Sequence, residues 1–131
     1  MMPATPLRVL CVMQDPVDRL AMQDYGWILE WDLTLCRDLQ HCVELASRRP
    51  VDLIVSDLHQ GPPCGLEMVK TIRIKNSANG NVPALLLTDQ DIPEKAMAKA
   101  DQMGAAVVRL KPLLLSDLKL VATRLASASL N

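Results

Sequence analysis

Val51-Asp-Leu-Ile-Val-Ser-Asp-Leu58 is the stretch of sequence that decides the fold of this chain. Its apolar residues are rich in β-branched side chains and lie between Pro50 and the breaker cluster Gly61-Pro62-Pro63, which predicts a short buried strand. Asp57 then falls at the C-terminal end of that strand. In an open parallel sheet, ligands bind at this edge. Asp57 is therefore a candidate site residue, and a loop-capping aspartate is the alternative.

The length and composition of the chain predict one globular domain with an aliphatic core. The chain has 131 residues, half of them apolar, with no Phe, two Trp and one Tyr. Such a core suits a parallel sheet covered by helices. We expect this domain to span residues 7–127, between a flexible N-terminus at 1–6 and a tail at 128–131. The net charge of −1 excludes a global basic field, so we expect no direct nucleic-acid binding.

The cysteines and the apolar runs bear on the cellular compartment. The four thiols show neither a C-x-x-C motif nor metal-ligand spacing around His41 or His59, and they are Cys11, Cys36, Cys42 and Cys64. We interpret them as reduced thiols of a cytoplasmic protein, with a disulfide or zinc framework as the alternative. The longest apolar runs are far below the ~20 residues of a membrane span, and the N-terminus lacks the pattern of a signal peptide.

Strand and helix patterns alternate five times along the chain. The predicted strands are 7–13, 31–35, 51–58, 83–88 and 105–110, and 31–35 has the alternating pattern of a sheet edge. The predicted helices are 16–28, after an Asp15-Pro16 start, then 39–49, 66–74, 93–103 and 116–126, the last capped by Ser116. This alternation predicts a single α/β domain, a doubly wound parallel sheet with helices on both faces.

Polar side chains of complementary chemistry fall at the ends of these predicted strands. They are Met13-Gln14-Asp15, Asp57, Thr88 and Lys111. A carboxylate nucleophile, a hydroxyl donor and an ammonium counter-charge on one edge suit a phosphoryl group. Each residue has a plainer interpretation, a capping hydroxyl for Thr88 and a surface cation for Lys111. Their joint placement at successive strand ends favours a phosphoryl site.

This ordered set of residues resembles the receiver domain of two-component response regulators. The resemblance covers roughly residues 7–126 and includes Gly65-Leu66-Glu67, Gly104-Ala105 and Lys111-Pro112. It implies a flavodoxin-like five-stranded sheet of order 2-1-3-4-5 and a signalling domain that is not an enzyme. It also implies that Asp57 is the phosphoacceptor of a phosphorelay, Thr88 the switch hydroxyl and Lys111 the amine that contacts phosphate.

The resemblance also implies partners and a local geometry. A sensor histidine kinase or phosphotransfer protein would supply the phosphoryl group. An effector domain or partner protein would bind the face of the fourth helix, fifth strand and fifth helix. We expect changes at Lys95, Lys99 or Arg109 to weaken this binding. A homodimer stays open. We further predict a cis peptide bond at Pro112, because X-Pro is the one context in which cis costs only ~0.5–1 kcal/mol.

The chain departs from the receiver pattern at the metal and at the readout. Met13 and Gln14 stand where receivers place two acids that hold Mg²⁺, and Asp15 is one position late. Because Mg²⁺ prefers carboxylate oxygens, Asp57 and Asp15 would form a weak site at best, and we predict a direct Asp57–Lys111 ion pair. Val108 replaces the aromatic residue of many receivers, and Asp89 replaces a small residue.

Two other functions follow from these departures. One is a pseudo-receiver that never takes phosphate and acts as a protein docking module. The other is an enzyme of flavodoxin-like fold that binds a flavin or nucleotide. The enzyme is disfavoured because Gln14-Asp15-Pro16 stands where a Gly-rich phosphate loop would follow the first strand.

Overall fold

The chain alternates strands and helices five times, as the sequence predicts. The computed structural model describes residues 6–58, 65–75, 81–92, 94–109 and 113–129, without the side chains of 75, 108, 109 and 126–129. The strands are β1 (Arg8–Val12), β2 (Asp32–Leu35), β3 (Leu53–Asp57), β4 (Ala84–Thr88) and β5 (Ala105–Arg109). The helices are α1 (Pro16–Ile28), α2 (Leu39–Arg48), α3 (Gly65–Lys75), α4 (Glu94–Gln102) and α5 (Leu115–Ser129).

All five strands pair in parallel in one sheet of order β2-β1-β3-β4-β5. The predicted flavodoxin-like order is confirmed, and β2 is an edge strand as expected. β3 lies at the centre, where Ser56 pairs with Val12 of β1 and Asp57 pairs with Leu87 of β4. Because the strands are parallel, their C-terminal ends share one side of the sheet, which we call the carboxyl edge; the opposite side is the amino edge.

Each face of the sheet packs against its own set of helices. On one face, Leu10, Ile54 and Leu86 belong to a buried cluster that includes residues of α2, α3 and α4. On the other, Val55 and Leu87 belong to a cluster with residues of α1 and α5. The largest fully buried side chains are Leu, Ile, Met and Val, as the composition predicts. None of the described helices combines the length and the apolar character that spanning a membrane needs.

The helix starts show where local sequence signals were sufficient and where they failed. Asp15 caps α1 and accepts a hydrogen bond from the Val17 amide at 2.8 Å, with Pro16 in the first helical position, as predicted. The prediction that Ser116 caps the last helix is wrong. The carbonyl of Leu114 accepts from the Leu118 amide at 3.0 Å, so the first helical bond starts at Leu114 and Ser116 lies within α5, which continues to Ser129.

Arg73 joins three elements at the amino edge. Its guanidinium donates to the carbonyl of Val82, just before β4, at 2.7 Å. It also donates to the carbonyls of Met103 and Gly104, which connect α4 to β5. Partial burial lowers the pKa of Arg73 from its usual range, but an arginine stays charged at neutral pH. The side chain therefore ties the end of α3 to the start of two strands.

Gly65 brings α3 close to the end of β3. A Cβ at this position would lie 2.6 Å from the carbonyl oxygen of Asp57 and 3.1 Å from Leu86 Cδ2. The Gly65 amide also donates to the carbonyl of Leu58 at 3.2 Å. Any larger residue would have to displace the backbone of the central strand, which cannot relax as a flexible side chain can.

We predict that Gly65→Ala destabilises the protein by about 1–3 kcal/mol, because it overpacks a site bounded by backbone atoms. Urea unfolding followed by circular dichroism measures the effect. Lys70→Ala is the matched control on the exposed side of α3 and should change stability by less than about 0.5 kcal/mol. Equal stability of the two variants would show that α3 can move away from β3 at little cost.

Candidate functional site

Asp57 is the last residue of the central strand, and its side chain is 7% exposed. It follows Leu53 and Val55 on the face that packs against α1 and α5, because alternate residues of a strand share a face. Its Oδ2 accepts a hydrogen bond from the backbone amide of Gln14 at 3.4 Å. The sheet therefore places the Asp57 carboxylate at the carboxyl edge, next to the end of β1.

Met13 and Gln14 occupy the two positions beside Asp57 at the end of β1. The register pairs Val12 with Ser56, so Met13 comes level with Asp57. The Met13 side chain is 1% exposed and belongs to the apolar cluster with Met22 and Leu118. Gln14 is exposed and reaches Asp57 through its backbone amide. The structure thus gives Met13 a packing role and Gln14 a backbone hydrogen bond to the carboxylate.

The carboxylate of Asp15 is used to start α1. Its Oδ1 accepts from the Val17 amide at 2.8 Å, and its carbonyl accepts from the Arg19 amide at 2.9 Å. A side-chain oxygen engaged with the first turn of its own helix is directed toward that helix. Asp15, which the sequence offered as a possible metal ligand, therefore acts as the cap of α1.

Thr88 ends β4 directly beside β3. Its side chain is 3% exposed, and its hydroxyl accepts from the Gln90 amide at 3.1 Å. Because Asp57 is level with Leu87, Thr88 is one residue further along and on the alternate face. The hydroxyl proton is still available, because a hydroxyl both accepts and donates. The structure brings Asp57 and Thr88 to adjacent strand ends, where the Thr88 hydroxyl is hydrogen-bonded to the Gln90 amide.

Several predicted features lie outside the described residues. They are the amine of Lys111, its predicted ion pair with Asp57, the cis bond at Pro112, and the side chains of Val108 and Arg109. Each stays a prediction. Lys95 and Lys99 are described, and both are exposed on α4.

Arg19 is a residue of this edge that the sequence did not single out. Its guanidinium nitrogen donates to the carbonyl of Met13 at 2.9 Å and to the carbonyl of Cys36 at 3.0 Å. It therefore ties the end of β1 to the residue that follows β2. The one available signal was its position, one turn after the cap of a helix that begins at this edge.

Three thiols lie behind this edge in the core. Cys11, Cys36 and Cys42 are buried and free, as predicted for these three, and Cys64 is outside the described residues. Burial raises the pKa of Cys11. A hydrogen bond between the side chains of Cys36 and Cys42 lowers the pKa of Cys36 and raises that of Cys42. The thiols are packing residues of β1, α2 and the segment between β2 and α2.

The described residues offer a divalent cation few ligands at this edge. Mg²⁺ takes oxygen ligands, usually one or two carboxylates together with several waters. Here Met13 offers a buried thioether, and Asp15 caps its helix. The described part of the chain holds no group of three His, Cys, Asp or Glu side chains arranged to bind a metal ion. In the part of the chain that the structure describes, Asp57, the Gln14 amide and Thr88 are the polar groups that this edge brings together.

Comparison with solved structures shows that the fold is that of receiver domains. The chemotaxis protein CheY4 of Vibrio cholerae superposes with a TM-score of 0.82 at 24% identity, over 92% of this chain and 99% of that one. The receiver domain of a sensor histidine kinase from Pseudomonas aeruginosa, which holds magnesium in its active-site cleft, gives 0.79 at 22% identity, over 94% of this chain and 99% of that one.

A third similar structure comes from a complex. It is the receiver domain of the response regulator Ssk1 of Saccharomyces cerevisiae, bound to the histidine phosphotransfer protein Ypd1, with a TM-score of 0.78 at 21% identity, over 93% of this chain and 90% of that one. Neither a family model nor a curated protein matches this chain by sequence. The predicted resemblance to receiver domains is confirmed at the level of the fold.

We predict that Asp15 can be replaced by another capping residue without loss of stability. Asp15→Ser keeps a side-chain oxygen for the Val17 amide, whereas Asp15→Ala should lower stability by about 1 kcal/mol. Thermal unfolding measures the stability, and calorimetry with Mg²⁺ measures binding in both variants. If Asp15→Ser stays stable but loses Mg²⁺ binding that the wild type shows, then Asp15 is a metal ligand and the capping role is secondary.

Proposed function

We propose that this chain, which has the fold of receiver domains, accepts a phosphoryl group on Asp57 from a phosphohistidine in a two-component phosphorelay. The observation that carries the proposal is the position of the Asp57 carboxylate. It is buried at the end of the central strand, and one of its oxygens accepts a hydrogen bond from a backbone amide. The fold shared with receiver domains supports the same role. The domain would then act as a signalling module and not as an enzyme.

The transfer would use the free electron pair of an Asp57 oxygen. That oxygen attacks phosphorus, a new oxygen–phosphorus bond forms, and the phosphorus–nitrogen bond of the donor histidine breaks. The nitrogen keeps the bonding electron pair, and the donor leaves as neutral imidazole because its other ring nitrogen carries a proton. Donors aimed at the phosphoryl oxygens stabilise the charge that develops on them. The Gln14 amide donates to the Asp57 carboxylate, and the Thr88 hydroxyl, one residue further along the neighbouring strand, keeps a proton to donate.

The partner in this proposal is a protein that presents a phosphohistidine. A structure similar to this chain is bound to a histidine phosphotransfer protein, which supports a sensor kinase or phosphotransfer protein as the donor. A change at Thr88 would reach the surface through Gln90 and the start of α4, because the hydroxyl is bonded to the Gln90 amide. We therefore propose that the face of α4, β5 and α5, with exposed Lys95 and Lys99, carries the signal. Such a relay belongs in the cytoplasm.

A second candidate function is a pseudo-receiver that docks proteins without taking phosphate. The poor fit of the described residues to Mg²⁺ favours it, because the end of β1 offers Met13 and Gln14 in place of carboxylates. In this alternative, the unphosphorylated domain already presents its binding face. Both candidates share the fold, so they differ only in whether Asp57 reacts.

Labelling with a small phosphodonor such as acetyl phosphate distinguishes the two candidates. We expect slow formation of an acyl phosphate in the wild type, seen by intact-mass spectrometry, and complete loss in Asp57→Asn. Gln14→Asp adds one acid at an exposed position and should accelerate Mg²⁺-dependent labelling about tenfold or more. Gln14 is chosen over Met13 because a carboxylate in place of buried Met13 would enter the apolar cluster.

The matched control is Gln14→Asn, which should label at the wild-type rate because it adds no charge. Labelling that survives in Asp57→Asn would place the phosphoacceptor elsewhere. If neither the wild type nor Gln14→Asp labels, while both remain folded by circular dichroism, the phosphoacceptor role is wrong and the docking module stands.

A further inference from the structure

An aromatic cleft lies at the amino edge, on the opposite side of the sheet from Asp57. It has a volume of about 600 Å³ and is lined by Pro6, Trp27, Ile28, Glu30, Trp31 and Asp32. Trp27 is 82% exposed and Ile28 is 55% exposed, whereas Trp31 packs partly against the core. Both tryptophans of the sequence therefore line one cleft. Adjacent exposed apolar side chains such as Trp27 and Ile28 are typical of an interaction surface.

The charges around this cleft have one sign. Glu30 and Asp32 are both exposed, and no basic side chain lines the cleft within the described part of the chain. Arg8 is the strand neighbour of Asp32, but its guanidinium pairs with Asp52 at 3.4 Å on the other side of β1. The cleft therefore presents two carboxylates beside two indoles.

The end of α1 adds negative potential to the same place. The carbonyl groups at a helix C-terminus carry a partial negative charge, which Lys, Arg or His in the last turn commonly offsets. The last turn of α1 has no basic residue. The cation that usually complements this end of a helix is missing from the helix itself.

Glu30 is held in a conformation that glycine usually occupies. Its φ is 59°, in the left-handed region. Its amide donates to the Trp27 carbonyl at 3.2 Å, and the Trp31 amide donates to the Gly26 carbonyl at 2.8 Å. This is the Schellman ending of a helix, in which the left-handed residue is most often Gly. A carboxylate is thus placed beside the indoles in spite of backbone strain.

We propose that this cleft binds an arginine side chain presented by a segment of a partner protein. A guanidinium can stack on an indole while its planar fork of N–H groups binds a carboxylate, which an ammonium group does less well. The cleft is larger than one guanidinium, so neighbouring residues of the segment can contact Ile28 and Pro6. The proposal is independent of phosphate chemistry, because the cleft and Asp57 are on opposite edges.

The indole N–H signals of the wild-type protein in ¹⁵N NMR spectra provide the test. Only two such signals exist, and both report on the cleft. A capped Gly-Arg-Gly peptide should shift both signals saturably. The same peptide with citrulline, a neutral isostere of arginine, should bind about threefold or more weakly. Equal shifts with citrulline, or no shift with arginine, would overturn the proposal.

Glu30→Gly separates binding from stability. Glycine relieves the left-handed strain and should raise Tm by about 3 °C, while loss of the carboxylate weakens peptide binding. A residue with a purely structural role would not produce these opposite effects. Glu44→Gln removes a similar exposed charge on α2 and should leave the indole shifts unchanged.

Self-association is the competing occupant of the cleft. Sedimentation velocity of the wild type and of Trp27→Glu decides it. A monomer in both cases, with peptide binding lost in Trp27→Glu, supports the arginine site. A wild-type dimer that Trp27→Glu converts to monomer, without any peptide response, shows that a second copy covers the cleft and that the proposal is wrong.

Discussion

The hydrogen-bonded pairing of β3 with β1 and β4 is the constraint on which the site depends. Every residue of β3 is buried, and the strand is hydrogen-bonded to a parallel neighbour on each side. The pairing continues past the strand, because the Leu58 amide donates to the Leu87 carbonyl at 2.8 Å. The sheet therefore holds the backbone of Asp57 from both sides and sets where its side chain begins.

The fold could be predicted from sequence because its signals are local and repeated. A β-branched run ending in Asp57 and an Asp15-Pro16 helix start each identify an element without knowledge of the others. Ser116 led to a wrong prediction of the cap, because the sequence shows a hydroxyl near the helix start but not the residue at which the first turn begins. Arg19 could not be found, because its role depends on two carbonyls that only the folded sheet brings together.

The carboxylates at the two candidate sites have different neighbours. At the carboxyl edge, an apolar Met13 and a neutral Gln14 flank Asp57, and Asp15 serves its own helix. At the amino edge, Glu30 and Asp32 stand beside two indoles with no lining base in the described residues. A net charge of −1 does not show where these carboxylates lie, so composition alone could not have located either surface. The side chains at each edge set its chemistry, and the shared sheet sets only their spacing.

Arg73 has a mechanical consequence for α4. Its guanidinium holds the carbonyls of Met103 and Gly104 at the amino edge, just past the end of that helix. The opposite end of α4 begins at Glu94, four residues after Gln90 along the chain. These bonds restrain the C-terminal end of α4, whereas none of them reaches its first turn. A small displacement beside Thr88 would then move the first turn of α4 more than its last turn, and Lys95 further than Lys99.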